Sequence, residues 1–542
     1  MNWGMKKITT VAAAIAVFSG VGVVGVHAAV KNNNMIRWVD KAPLSTMDPS
    51  KVSAAQDFNG LTATGDGLTR QDKDGEPALA LAESYKTSEK GTVYTFKLRP
   101  DLKWSNGDDL TAHDFVYGWR RTNDPKTASE YAYLYAGVKN AEAIQSGEEK
   151  DLTKLGIEAL DDRTLKVTLD QPMPALLDIM TMPPFFPQNE AFVEKAGKKY
   201  GTEAKYVLSS GPFVLKKWSG SSDEYFLQKN KFYYDSDVVK TKDIRVQAVQ
   251  SGTGYNLFMS NATDYAELST LQANASKHDR SFLNNPTATT AYIQMNEKKV
   301  KALGNTDIRR ALSYAINREV FTDKVLGGTA QPATTLTPKG LITDPKTDKD
   351  FTEISTVEGA VGYDLKQAKE LFAKGMRAEG LTDLTLELVT DDTDAAKSSA
   401  QFLQSQLQEL DGLKINIKIV PFKQRLALTQ SKDFDLVISL WGADYPDPSS
   451  FLDLNLTGGA FNAGGWSNEE YDALIKKANT TDVNDEKKRY QDYADAEKIS
   501  LEEMAVIPMY YRATPALQRT DIADMVYHPA GALFDWKWVY RK

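Results

Sequence analysis

The sequence predicts an α/β protein built on a largely parallel sheet, and three observations carry that expectation. Residues 384–441 alternate strand and helix patterns. "VYTFKLR", Val93 to Arg99, alternates sides strictly, as a half-buried strand does. "DIRRALSYAINREVFTDKVLGG", from Asp307, carries apolar residues at helical spacing and stops at a glycine pair.

Along the chain, Met35 to Val39 reads as a first strand, followed by a turn at Asp48 and Pro49. After the Val93 strand, "SNGDDL" is turn chemistry. Thr111 should then cap a helix whose apolar face includes Phe115, Val116 and Trp119. "TLKVTLDQPMPAL" from Thr164 is a strand closed by prolines. "SGPFVLKKWSGSSDEYFLQKN" from Ser210 is a hairpin turning at Gly220 to Ser222. Ile308, Leu312, Ala315 and Ile316 share one helical face. "LTLELV" from Leu384 is a strand, and Thr393 to Leu410 a helix burying Phe402, Leu403, Leu407 and Leu410. Gly412 suits the turn after it. "INIKIV" and "FDLVISLW" are the next strands, "NDEKKRYQDYADAEKISLEEM" a helix, and "AVIPMYYRATPAL" a late strand. Strands alternating with helices imply a parallel sheet, and ligands of such sheets sit beyond the carboxyl ends of strands. Asp444 follows the Phe434 to Trp441 run at such an end, ahead of Pro446 and Pro448.

The totals bound the class. The 542 residues are 42% hydrophobic and 25% charged, an ordinary globular composition with room for about two to four domains. The net charge of -8 argues against a nucleic-acid partner. The absence of cysteine excludes disulfides, thiolate metal sites and cysteine nucleophiles. The four histidines, His27, His113, His278 and His528, show no zinc spacing, and no metal or cofactor is expected. Lys6 and Lys7, the apolar run from Ile8 and the small-residue site at Val26 to Ala28 read as a signal peptide over residues 1–28. Its retention as a membrane anchor is the rival reading. The chain has no serine-hydrolase elbow, phosphate loop or dinucleotide fingerprint. The acid pairs Asp108-Asp109 and Asp391-Asp392 read as solvated turns, so an enzyme is not expected.

Seven segments then point to a family. "TMDPSK", "LAESYKTSEKGTVYTFKLRPDLKWSNGDDLTAHDFVYGWRR", "SGPFVLKKW", "IRRALSYAINRE", "YDLKQAKELF", "WGADYPDPSSFLD" and "PMYYR" follow one another in order. The chain resembles the solute-binding proteins of oligopeptide ABC importers, the OppA/DppA group of extracellular solute-binding protein family 5. "DPKTASEYAYLYAGVKNA" is similar to its Gram-positive branch. The resemblance implies a type II periplasmic-binding-protein fold, two lobes closing over a central cleft plus an inserted third lobe. Lobe I would take residues 29–65, 188–290 and 513–542, lobe II residues 66–187, and lobe III residues 291–512. It implies a peptide receptor without catalysis, monomeric, outside the cell or held at its envelope, that hands its ligand to ABC permease subunits. Asp444 would pair with the α-ammonium of the peptide. Ser53, Ala54 and Ala55 on one side, and Leu440, Trp441, Gly442 and Ala443 on the other, would hold the peptide backbone as an added strand. Tyr131 would lie near the ligand, with Trp466 and Tyr511 as further contacts.

Three departures from the family pattern stand out. Gly442 replaces a disulfide cysteine of some relatives. Ile438 replaces an arginine that meets the C-terminus of short peptides, which points to ligands less restricted in length. No lipobox cysteine exists, which excludes a diacylglycerol anchor. Other readings stay open: one signalling peptide, a sugar, nickel, or a surface adhesin or chaperone. Histidine scarcity disfavours nickel.

Overall fold

The computed structural model describes residues 35–542 apart from 89, 221, 250–251, 345–348 and 460. The expected signal peptide, and Ser221 in the expected hairpin turn, lie outside the described residues.

The elements used below are, in chain order, β1 (Ile36–Asp40), α1 (Ala55–Thr64), β2 (Ala82–Thr87), β3 (Val93–Leu98) and α2 (Ala112–Asn123). Then come β4 (Ile157–Asp161), β5 (Thr164–Thr168), β6 (Phe213–Lys216), β7 (Glu224–Lys229), β8 (Asp243–Ala248) and β9 (Tyr265–Glu267). β10 (Phe282–Met295), α3 (Thr306–Tyr314), β11 (Gln331–Pro332), β12 (Leu384–Asp391) and α4 (Asp394–Leu407) follow. The last are β13 (Leu413–Val420), α5 (Phe422–Gln430), β14 (Leu436–Gly442), α6 (Glu486–Glu502) and β15 (Ile507–Gln518).

Three main sheets result. One four-stranded sheet runs β1-β8-β7-β6 and another β2-β3-β5-β4. They share one apolar core, with Trp38, Phe96, Phe115, Trp119 and Phe213 buried in it. The Thr111 cap forms as the sequence expects. The Asp114 carboxylate accepts the Thr111 N–H at 2.8 Å, and Trp119 donates its indole N–H to the Phe185 carbonyl at 2.9 Å.

The third sheet has its own cores and runs β9-β15-β10-β14-β12-β13, with β11 against β15. Here the largely parallel expectation is corrected. Only β12–β13 and β12–β14 are parallel, while β10 pairs antiparallel with both β14 and β15. The helical crossovers α4 and α5 force parallel neighbours only within 384–442. The long strands β10 and β15 enter from outside that series and need no crossover to pair antiparallel.

The helix expected from Asp307 up to the glycine pair is also corrected. It breaks after Tyr314 and resumes at Arg318, capped by the Asn317 side chain, to run on to Val325 just before the glycine pair. Arg318 is the cause. Its guanidinium is buried and donates to the carbonyls of Ser313, Pro508 and Gly362, which requires the chain to bend around it.

Candidate functional site

β14 is an apolar strand held on both sides only at its start. β10 pairs with all of it, from Leu436 opposite Met295 to Gly442 opposite Thr289. β12 pairs with Leu436 and Val437 alone. Beyond the strand, Ala443 donates its N–H to the Ala288 carbonyl at 2.8 Å. Alternation in an antiparallel ladder therefore turns the main chain of Trp441 and Ala443 toward β10, and that of Leu440 and Gly442 to the opposite side. No strand pairs with that side past Val437 among the described residues. Leu440 and Gly442 are correspondingly exposed.

Two residues past the strand stands Asp444. The Tyr133 hydroxyl donates to its Oδ2 at 2.6 Å. Burial raises the Asp444 pKa above the usual carboxylate range, and the Tyr133 hydrogen bond only partly offsets it. A carboxylate in this state gains from any further donor, and most from a cation. Its loop is fixed from below. Asp447 accepts from Arg489 of α6 at 2.6 Å and from the Ser449 N–H at 2.9 Å, and both members of the ion pair are buried. Trp441 donates its indole N–H to the Ser450 carbonyl at 2.7 Å. Pro448 leads into a short helix, Ser449–Leu452. The brace is thus an ion pair as much as the two prolines.

Three cavities border this stretch. One of about 250 Å³ is lined by Tyr133, Met173, Ile179, Trp441, Asp444 and Asp453. The second, about 300 Å³, has Ala55 on one side and Gly442 and Ala443 on the other. The third, about 370 Å³, is lined by Ile438, Leu440, Phe321 and Tyr510. The backbone segments expected to face each other, around Ala55 and around Gly442, therefore do share a cavity.

Other expected residues fall differently. Ala55 begins α1 and Ala54 is its cap, so the Ala54 carbonyl is taken by Asp57 and Phe58 and no strand edge forms there. Ser53 is exposed and makes no hydrogen bond among the described residues. Tyr131 packs edge-on against Phe58 at 5.0 Å and makes no hydrogen bond to Asp444. Burial, then the Asp444 charge, push its pKa up to about 12. Trp466 is buried, donates to Glu503 at 3.0 Å and packs on Tyr471. Tyr511 is buried, with its hydroxyl accepting the Thr334 and Thr335 N–H groups. These two side chains support the core and not the cleft. The alternation of β15 turns Arg512 outward instead.

The sequence reading missed Tyr133. "YAYLY" places three tyrosines at equal spacing, and nothing in that spacing says which one reaches Asp444.

The chain matches the family model of the bacterial extracellular solute-binding proteins, family 5, over residues 76–463. It is 38% identical over 553 aligned residues to a dipeptide-binding protein of Lactococcus lactis subsp. cremoris, covering 99% of both chains. It is 32% identical over 491 residues to the oligopeptide-binding protein OppA of Bacillus subtilis, covering 88% of this chain and 87% of that one. The structure of Listeria monocytogenes OppA bound to peptide superposes with a TM-score of 0.74 at 39% identity, over 94% of this chain and 99% of that one. MppA, a periplasmic murein tripeptide binding protein, in its unliganded open form superposes with a TM-score of 0.79 at 25% identity, over 94% and 97%. Fold and site define an extracellular solute-binding protein with the α/β type II periplasmic-binding-protein fold. The chain belongs to the bacterial extracellular solute-binding proteins, family 5.

Proposed function

We propose that this protein is an extracellular receptor that binds peptides in extended form and delivers them to an ABC import permease. The carrying observation is the unpaired edge at Leu440 and Gly442, which ends on the half-buried carboxylate of Asp444. Every free peptide offers the matching pair of features, an extended backbone with hydrogen-bonding groups on both sides and an ammonium at one end. Main-chain pairing ignores side-chain identity, so one edge serves many sequences. Asp444 reads the ammonium through a charge-assisted hydrogen bond. The names of the relatives, dipeptide- and oligopeptide-binding proteins, support the same reading.

In this reading residues 29–65, 188–290 and 513–542 form lobe I, 66–187 lobe II and 291–512 lobe III, and peptide binding draws them together. Residues 1–28 direct export, and no described helix is long and apolar enough to cross a membrane. The protein acts as a monomer and catalyses no reaction.

Native mass spectrometry of the exported protein, stripped of ligand and offered a mixed peptide pool, tests the proposal. Retention of many peptides supports it. Retention of one sequence alone narrows it to a signalling receptor. Retention of none, with no contraction in small-angle scattering on adding the pool, rejects it.

A further inference from the structure

A second, much smaller cavity, about 10 Å³, lies beneath a hairpin near the C-terminus. Thr62 of α1, Arg70, Met182, His528 and Asp535 line it. The hairpin pairs Val526–Tyr527 with Phe534–Asp535, and the His528 N–H donates to the Leu533 carbonyl at 2.9 Å. Thr62, Arg70, His528 and Asp535 are all buried. Two of their atoms, Thr62 Oγ1 and His528 Nε2, have no hydrogen-bond partner among the described residues. Native interiors rarely leave such atoms unmet. The neighbouring Asp535 carboxylate is already taken. It accepts from Arg70 Nε at 2.8 Å, from Arg70 Nη2 at 2.6 Å and from the Lys537 N–H at 2.8 Å. Arg70 Nη2 still carries a second proton to give.

Size and charge select the occupant. The volume has room for about one water and nothing larger. A metal cation would lie against the Arg70 guanidinium, and an anion against the Asp535 carboxylate, each repelled at close range. A water suits every group. It accepts from Arg70 Nη2 and donates to Thr62 Oγ1 and His528 Nε2, the usual complement of bonds for a buried water. His528 is then neutral, with its proton on Nδ1. Burial agrees with this, holding the His528 pKa below the ordinary histidine value.

The place of this cavity ties it to the cleft. Pro529, Ala530 and Gly531, at the tip of the same hairpin, line the 300 Å³ cavity together with Ala55 and Gly442. The Pro529 carbonyl also accepts the Ala288 N–H at 2.9 Å. We infer that one permanently bound water bridges Thr62, Arg70 and His528 and braces this part of the cleft wall from behind. The inference is independent of what the cleft binds.

High-resolution crystallography of the exported protein, joined to hydrogen-exchange mass spectrometry, tests it on wild type, Thr62→Ser and Thr62→Val. The expected maps of wild type and Thr62→Ser show one water within hydrogen-bonding distance of residue 62 Oγ and His528 Nε2. Thr62→Val keeps the volume and removes the hydroxyl, so the water should be lost. Exchange of the amides over 528–533 should then quicken about fivefold, the weight of one hydrogen bond, while Thr62→Ser stays near wild type. A dry cavity in wild type, an ion in place of the water, or Thr62 and His528 bonded to each other or to other side chains overturns the inference. So does unchanged exchange in a Thr62→Val protein that has lost the water. Should Thr62→Val fail to fold, the wild-type map decides alone.

Discussion

Tyr133 and Asp444 are joined by a 2.6 Å hydrogen bond across 311 positions of sequence. Tyr133 leans on Tyr131, and Tyr131 on Phe58 of α1, so the contact ties the core of the two four-stranded sheets to the loop after β14. The hydroxyl donates where a ligand ammonium is proposed to donate. Its own oxygen stays open to accept a second ammonium proton.

Tyr133→Phe removes both functions. Peptide affinity is expected to fall by about 1 kcal/mol, the worth of one such hydrogen bond. The Asp444 carboxyl should titrate at higher pH in the empty variant, because the interaction that lowers its pKa is gone. Calorimetry and carboxyl titration by NMR check the two effects.

Affinity should depend on pH with a defined sign. The ammonium pairs only with ionised Asp444, whose pKa is raised by burial in the empty protein. Affinity is therefore full above that raised pKa and falls as pH drops through it, with binding there releasing a proton. It falls again above about pH 8, where the peptide amine loses its own proton. Asp444→Asn should abolish the acid limb and keep the alkaline one.

Arg489→Leu tests the brace. It leaves the Asp447 carboxylate buried without its cation, a loss of about 3–5 kcal/mol of stability. Because Asp447 holds the loop that carries Asp444, affinity should fall as well. Thermal melting and peptide binding, measured on the same variant, should move together.

Leu440→Pro tests the added strand. It removes one outward N–H from an edge, a place where a sheet tolerates proline. The melting temperature should change little, while affinity drops about tenfold for every peptide sequence. A loss confined to some sequences would point to a side-chain effect at Leu440.

Much of the frame was legible because its signals are local. The period-two pattern of Val93 to Leu98, the Thr111 cap and the strand–helix series over 384–441 each depend on neighbours in sequence. The place of Asp444 just past a strand end was legible, while its pairing with a ligand amine came from the resemblance and is a proposal. What was not legible depends on distant partners. The buried Arg318 splits a helix by reaching Pro508, 190 positions away. β10 and β15 turn the sheet mixed from outside the parallel series. The resemblance put a ligand-holding backbone edge at Ser53 to Ala55, and the carbonyl of Ala54 starts a helix there. Tyr133 differs from Tyr131 only by which one the short turn Ala132–Tyr135 aims at Asp444.

The central claim is that Asp444 holds the ligand amine. Its most direct test is a thermodynamic cycle: one free peptide and its N-acetylated form, each titrated into wild type and Asp444→Asn. Acetylation should cost wild type at least about 2 kcal/mol and the variant almost nothing. Wild type binding both forms equally would place the amine elsewhere and contradict the account.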